Sequence, residues 1–97
     1  MIFKLIIESE AKKEIHNAIH WYEKQQKGLG ADFFNYLDGY FKTMKSGKAV
    51  FSIKRKPAFR ELPLKRFPFI IIYELLETEI IIYSVFSTHQ HPHKKIK

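Results

Sequence analysis

The side chains of this chain best suited to chemistry are five histidines and a dense run of cations. His89, His91 and His93 alternate, so an extended segment would turn all three to one side. Imidazole titrates near neutrality, so such a row could hold a transition metal weakly or serve as a general acid or base, although a solvated tail is the default reading. His16 and His20 are four apart, a spacing that can hold a metal on a helix. They have no cysteine or acidic third ligand in the pattern, and both lie off the apolar stripe. They are therefore read as helix surface, and no metal or cofactor is expected. Lys54, Arg55, Lys56, Arg60, Lys65 and Arg66 form a set suited to phosphate contact. Cleavage of RNA by its own 2′-hydroxyl needs little more than cations on the phosphate and a His or Tyr to move protons. Tyr73, Tyr83 and His89 are candidates for the proton transfer. A ribonuclease would draw its catalytic set from Arg60, Tyr83, His89 and His91. There is no phosphate-binding glycine loop, no nucleophile elbow and no H-E-x-x-H, so nucleophilic and metal-dependent hydrolysis are unsupported.

Charge is unevenly spread. The formal net charge is +7, of which residues 1–47 carry +1 and residues 48–97 carry +6. A one-sided positive field favours an anionic partner, either nucleic acid or an acidic protein segment. The absence of cysteine excludes a disulfide framework and suits the cytosol. Met1-Ile2-Phe3-Lys4 lacks the layout of a signal peptide, and Glu74, Glu77 and Glu79 break the longest apolar run. The expectation is a cytoplasmic protein without a membrane span.

Apolar periodicity sets out the elements that must position these groups. Residues 2–8 read as a strand. Ser9 is the expected N-cap of a first helix, with Glu10 in its first turn. Ala11, Ile15, Ala18, Ile19 and Tyr22 form its apolar face, and it should end near Lys27, before Gly28-Leu29-Gly30. Phe33, Leu37, Tyr40, Phe41 and Met44 repeat the stripe in a second helix, stopped by Ser46-Gly47. The short link makes the two helices antiparallel neighbours. Residues 48–57 show no clear period. Strands are expected at 58–64, 69–75 and 79–86, joined as an antiparallel meander. Pro63 limits the first of these to an edge or an irregular end. Ile70-Ile71-Ile72 and Ile80-Ile81-Ile82 require cover on both sheet faces. The prediction is an α+β fold, β-α-α-β-β-β, with a helical hairpin packed on an antiparallel sheet. Residues 1–97 are read as one domain, and 89–97 as a flexible basic tail.

Three stretches together resemble the RelE/ParE toxin family. "IHWYEKQQKGLGADFF" is similar to its helical-hairpin signature, matched by Trp21, Tyr22, Glu23, Leu29, Gly30 and Phe33. "FRELPLKRFPFIIIYEL" is similar to its R-x-L-x-x-x-F-P-Y-x-I-x-Y segment at Arg60, Leu62, Phe67, Pro68, Ile71 and Tyr73, with Phe69 in place of Tyr. "IIIYSVFSTHQHP" is similar to the closing strand and tail at Val85 and Pro92. The resemblance implies the fold just given and the toxin of a bacterial type II toxin–antitoxin system. The partner it implies is a cognate antitoxin from the same operon that wraps the toxin with an extended, often acidic segment. A hetero-oligomer of the two follows. The family divides into ParE-like members, which inhibit DNA gyrase, and RelE-like members, which cleave mRNA on the ribosome. The W-Y-E helix and the F-P-F strand look closer to the ParE and plasmid-stabilisation branch. Nuclease members carry a catalytic Arg where this chain has Ile70, and a basic residue where it reads Ser87-Thr88. The ParE-like tail is altered as well, with Ser87 in place of its His and Gln90 in place of its Arg. The first expectation is a gyrase-binding toxin that is not an enzyme. The alternatives are a ribosome-dependent mRNA endoribonuclease, or a non-toxic relative that binds only an antitoxin or RNA.

Overall fold

The computed structural model describes residues 3–47 and 59–88. The stretch 48–57, with Lys54, Arg55 and Lys56, lies outside the described residues. So does the tail 89–97, with His89, His91 and His93.

The first strand, β1, spans Lys4–Ile7, and the first helix, α1, spans Ser9–Gln25. The helix cap is Glu8 rather than the expected Ser9. The Glu8 N–H donates to Ile82 O at 3.0 Å, and its carbonyl accepts from Lys12 N at 3.0 Å. The last sheet bond and the first helix bond thus fall on one residue, which leaves Ser9 inside the helix. α1 also ends earlier than Lys27. Gln26 is extended (φ −162°, ψ 130°), and its N–H closes the helix on Tyr22 O. Gly28, at φ 90°, caps the start of the next helix instead of the end of this one. That helix, α2, spans Leu29–Ser46 and stops at Gly47, whose φ of 75° suits only glycine without strain.

Three strands follow: β2 (Phe59–Pro63), β3 (Phe69–Leu76) and β4 (Glu79–Ser87). They form the antiparallel meander, and the sheet order is β1-β4-β3-β2. β1 joins β4 in parallel, Ile7 opposite Ile82, so the sheet is mixed rather than wholly antiparallel. Alternation within four residues identifies a strand but carries no information on its partner. The helical hairpin between β1 and β2 sets the direction in which the chain returns.

One sheet face is packed under the helices. Phe69, Ile71, Tyr73, Ile80, Ile82 and Val85 are buried there with Ala11, Ile15, Phe33, Leu37, Phe41 and Met44. The alternate residues Ile70, Ile72, Ile81 and Phe86 are half-buried on the opposite face. β4 carries a bulge: Tyr73 opposes Ile82 but Ile72 opposes Ser84, so Tyr83 is the extra residue. β1 has ended at this level, and a side chain from α1 takes its place. The Glu14 carboxylate accepts from Ser84 Oγ and from Val85 N, both at 2.8 Å.

Candidate functional site

Two of the three stretches of sequence that point to a family, the helical hairpin and the F-P-F segment, meet in space. Tyr22 of α1 stacks on Phe33 of α2 with centroids 5.2 Å apart, and both meet Phe67 edge-on at 5.0 and 5.1 Å. Phe69 closes the cluster against Phe33 at 5.1 Å. The helical hairpin and the F-P-F segment are therefore halves of one aromatic core, which explains why they occur together. Glu23 holds the hairpin turn. Its carboxylate accepts from Gly28 N at 3.0 and 3.1 Å and from Gly30 N at 3.0 Å. These bonds, Gly28 first and then Gly30, draw its pKa below the ordinary 4.5. Gly30 sits so close to α1 that a Cβ would lie 2.6 Å from Ile19 O. Glu23, Gly30 and the aromatic residues are thus tied into the scaffold.

The candidate chemical residues are spread over separate surfaces. Arg60 on β2 lies opposite Tyr73 on β3. Burial pushes the Tyr73 phenol up to about 12, against the pull of the Arg60 charge and hydrogen bond. Arg60 Nε is itself buried, without a hydrogen-bond partner among the described residues. Phe59 points the other way, as strand alternation requires, and meets Tyr83 edge-on at 5.3 Å. Tyr83 donates to Glu74 Oε1 at 2.7 Å. That hydrogen bond, then burial and the charges of Glu74 and Glu8, raise the Tyr83 pKa and keep the phenol protonated. Arg60 and Tyr83 therefore face opposite sides of the sheet. Among the described residues they do not share a site.

Lys65 and Arg66 lie in the β2–β3 loop, beyond the end of the strand that carries Arg60. The Tyr36 hydroxyl on α2 accepts from their backbone N–H groups at 3.2 and 3.0 Å. Burial pulls the Tyr36 pKa up, but the hydrogen bond with Tyr40, those two N–H groups and the Arg66 charge outweigh it and leave it lowered. The Arg66 guanidinium stacks 5.1 Å from the Phe67 ring centroid and pairs with Asp32 at 3.9 Å. Both cationic side chains remain exposed. The basic run thus divides into Arg60, packed against a core tyrosine, and an exposed Lys65–Arg66 corner fixed to α2.

A groove of about 380 Å³, which apolar periodicity does not announce, lies between β1, α1 and α2. Leu5, Ile7, Ile15, Ile19, Phe34 and Leu37 supply its apolar walls, and Lys12, Lys42 and Lys45 line it as well. Phe34 is 48% exposed. It sits beside Phe33 but outside the buried stripe, and an aromatic residue off the stripe was the available signal for this surface.

Neither a protein-family model nor a curated protein matches this sequence. Twelve chains of solved structures match its fold. One belongs to the chromosomal ParDE TA system from P. aeruginosa: TM-score 0.75, 16% identity, covering 89% of this chain and 96% of that one. Another belongs to the E. coli DinJ-YafQ toxin-antitoxin complex: TM-score 0.65, 11% identity, covering 91% and 94%. The chain shares its fold with these chains of toxin–antitoxin systems. No helix among the described residues is long and apolar enough to cross a membrane. No three His, Cys, Asp or Glu side chains among them gather as a metal site.

Proposed function

We propose that the chain is the toxin of a type II toxin–antitoxin system and arrests growth by binding a protein target, with DNA gyrase the first candidate. The ParDE neighbour supports the toxin reading, because the likeness spans 89% of this chain. The separation of Arg60 from Tyr83 across the sheet carries the non-enzymatic reading. In-line cleavage needs a phosphate clamp and a proton-transfer group on the same phosphodiester. Ile70, half-buried where nuclease relatives carry arginine, cannot stabilise a developing phosphorane. The exposed Lys65–Arg66 corner, together with Lys54, Arg55 and Lys56, then serves in docking.

The antitoxin is the expected partner. The apolar groove beside Phe34, lined also by three lysines, suits an acidic amphipathic helix.

Expression of the chain alone from a tightly controlled promoter tests this function. Growth arrest with lost supercoiling, while mRNA stays intact, is the expected outcome. Arrest with cut, ribosome-bound mRNA would transfer the assignment to a RelE-like ribonuclease using Arg60, His89 and His91. Unimpaired growth would leave a relative that only binds its antitoxin or RNA.

A further inference from the structure

We propose that His16 and His20 form a two-imidazole chelate for a divalent transition-metal ion of the zinc, nickel or copper class. The two rings stand one turn apart on the exposed side of α1. Their Nε2 atoms face each other at 3.1 Å, with ring centroids 4.4 Å apart and planes inclined at 69°. Zinc–imidazole bonds measure about 2.0–2.1 Å, so two ligands at about 90–109° around one ion stand about 2.9–3.4 Å apart. The observed separation falls within that window. Sequence spacing allows a chelate but does not establish that the two nitrogens converge. The structure supplies that point, and it revises the reading of this pair as bare helix surface.

The chemistry is balanced without any co-reactant. In the metal-free pair, one Nε2 donates its proton and the other accepts it. The ion takes the place of that proton, and the ring that carried it holds its single proton on Nδ1 instead. Each ring then presents an Nε2 lone pair to the ion. Lys12 precedes His16 by one turn, and Lys24 follows His20 by one turn. These cations repel an ion held by charge alone, and among the described residues no carboxylate joins the pair: Glu23, one turn beyond His20, is held by the Gly28 and Gly30 amides, and Asp38, which shares the groove with His16, pairs with Lys42. Magnesium and calcium, which take oxygen ligands, are therefore rejected, whereas nitrogen-seeking metals are accepted. No third ligand joins the pair among the described residues. The remaining coordination positions fall to water or to another molecule. His16 also lines the groove beside Phe34, so a bound ion would stand at its mouth. The site does not depend on the toxin reading.

Titration calorimetry of the full chain with Ni²⁺ or Cu²⁺ at neutral pH tests the proposal. His89→Gln, His91→Gln and His93→Gln are introduced together, so that the C-terminal histidines cannot account for the signal. One ion per chain is expected, with no heat from Mg²⁺. His16→Gln or His20→Gln should each weaken binding by on the order of 100-fold, because the gain from a second, intramolecular contact is lost. Both side chains are exposed, so the metal-free circular dichroism should not change. The electron paramagnetic resonance spectrum of the copper form should show two nitrogen donors, and one after either substitution. Absence of binding in the tail-substituted chain, or equal affinity after His16→Gln, would overturn the assignment.

Discussion

At the scale of single residues, Glu23 shows how a motif position can look functional and serve structure. A charged side chain in a W-Y-E signature invites a catalytic reading, yet its carboxylate is occupied by the Gly28 and Gly30 amides. Those bonds favour the charged form, so the folded-state pKa lies below the ordinary 4.5. The contribution to stability is therefore present above the unfolded-state pKa and is lost as pH falls through the folded value. Glu23→Gln cannot titrate. The wild-type chain should melt above the variant at neutral pH, and the gap should close as pH drops below the usual carboxylate range. A gap that stays constant down to strong acid would show that the hairpin does not rely on the charge.

At the scale of elements, much of the fold was legible and the couplings between elements were not. Phe33, Leu37, Phe41 and Met44 recur at helical spacing, and all four are buried in α2. The isoleucine runs likewise became β3 and β4. The parallel docking of β1, the shift of the cap to Glu8 and the bulge at Tyr83 depend on contacts between distant segments, which local pattern does not encode. The candidate site shared that limit. Sequence proximity grouped Arg60 with Lys65 and Arg66, whereas strand alternation and the Tyr36 anchor place them apart. Glu14 is the sharpest case, because nothing in its helical surroundings announces a partner 71 residues away. It takes over as acceptor for β4 where β1 stops. Glu14→Ala would leave the Val85 N–H and the buried Ser84 hydroxyl without that acceptor, at a cost of roughly 1–3 kcal/mol. With a urea m-value of about 1–3 kcal/mol/M, the unfolding midpoint should fall by roughly 1 M at unchanged slope. Glu14→Gln, which keeps an acceptor oxygen, should lose much less. Equal midpoints for all three proteins would remove Glu14 from the account of how α1 is fixed to the sheet.

At the scale of the whole molecule, charge and apolar surface together favour a partner that is acidic and amphipathic. The chain carries +7, and its apolar groove is lined also by Lys12, Lys42 and Lys45. Lys42 is paired with Asp38 at 3.2 Å, an exposed i,i+4 pair worth only a few tenths of a kcal/mol and readily exchanged for a partner's carboxylate. Phe34 is the side chain with which to probe the groove. At 48% exposure it contributes little to folding, and a partner helix seated in the groove would cover the rest. Losing its burial in a complex would cost about 2 kcal/mol, or roughly thirtyfold in affinity, and a carboxylate would add repulsion against an acidic partner. Phe34→Glu should therefore leave the melting temperature nearly unchanged and, on the proposed toxin reading, the growth arrest by the chain alone as well. On that reading, co-expression with a cognate antitoxin should no longer restore growth, and a pull-down should recover less complex. If the variant is rescued as fully as the wild type, the antitoxin does not use the groove, and the half-buried Ile70, Ile72 and Phe86 face of the sheet becomes the surface to test. If toxicity disappears while the fold is retained, the groove belongs to the target rather than to the antitoxin.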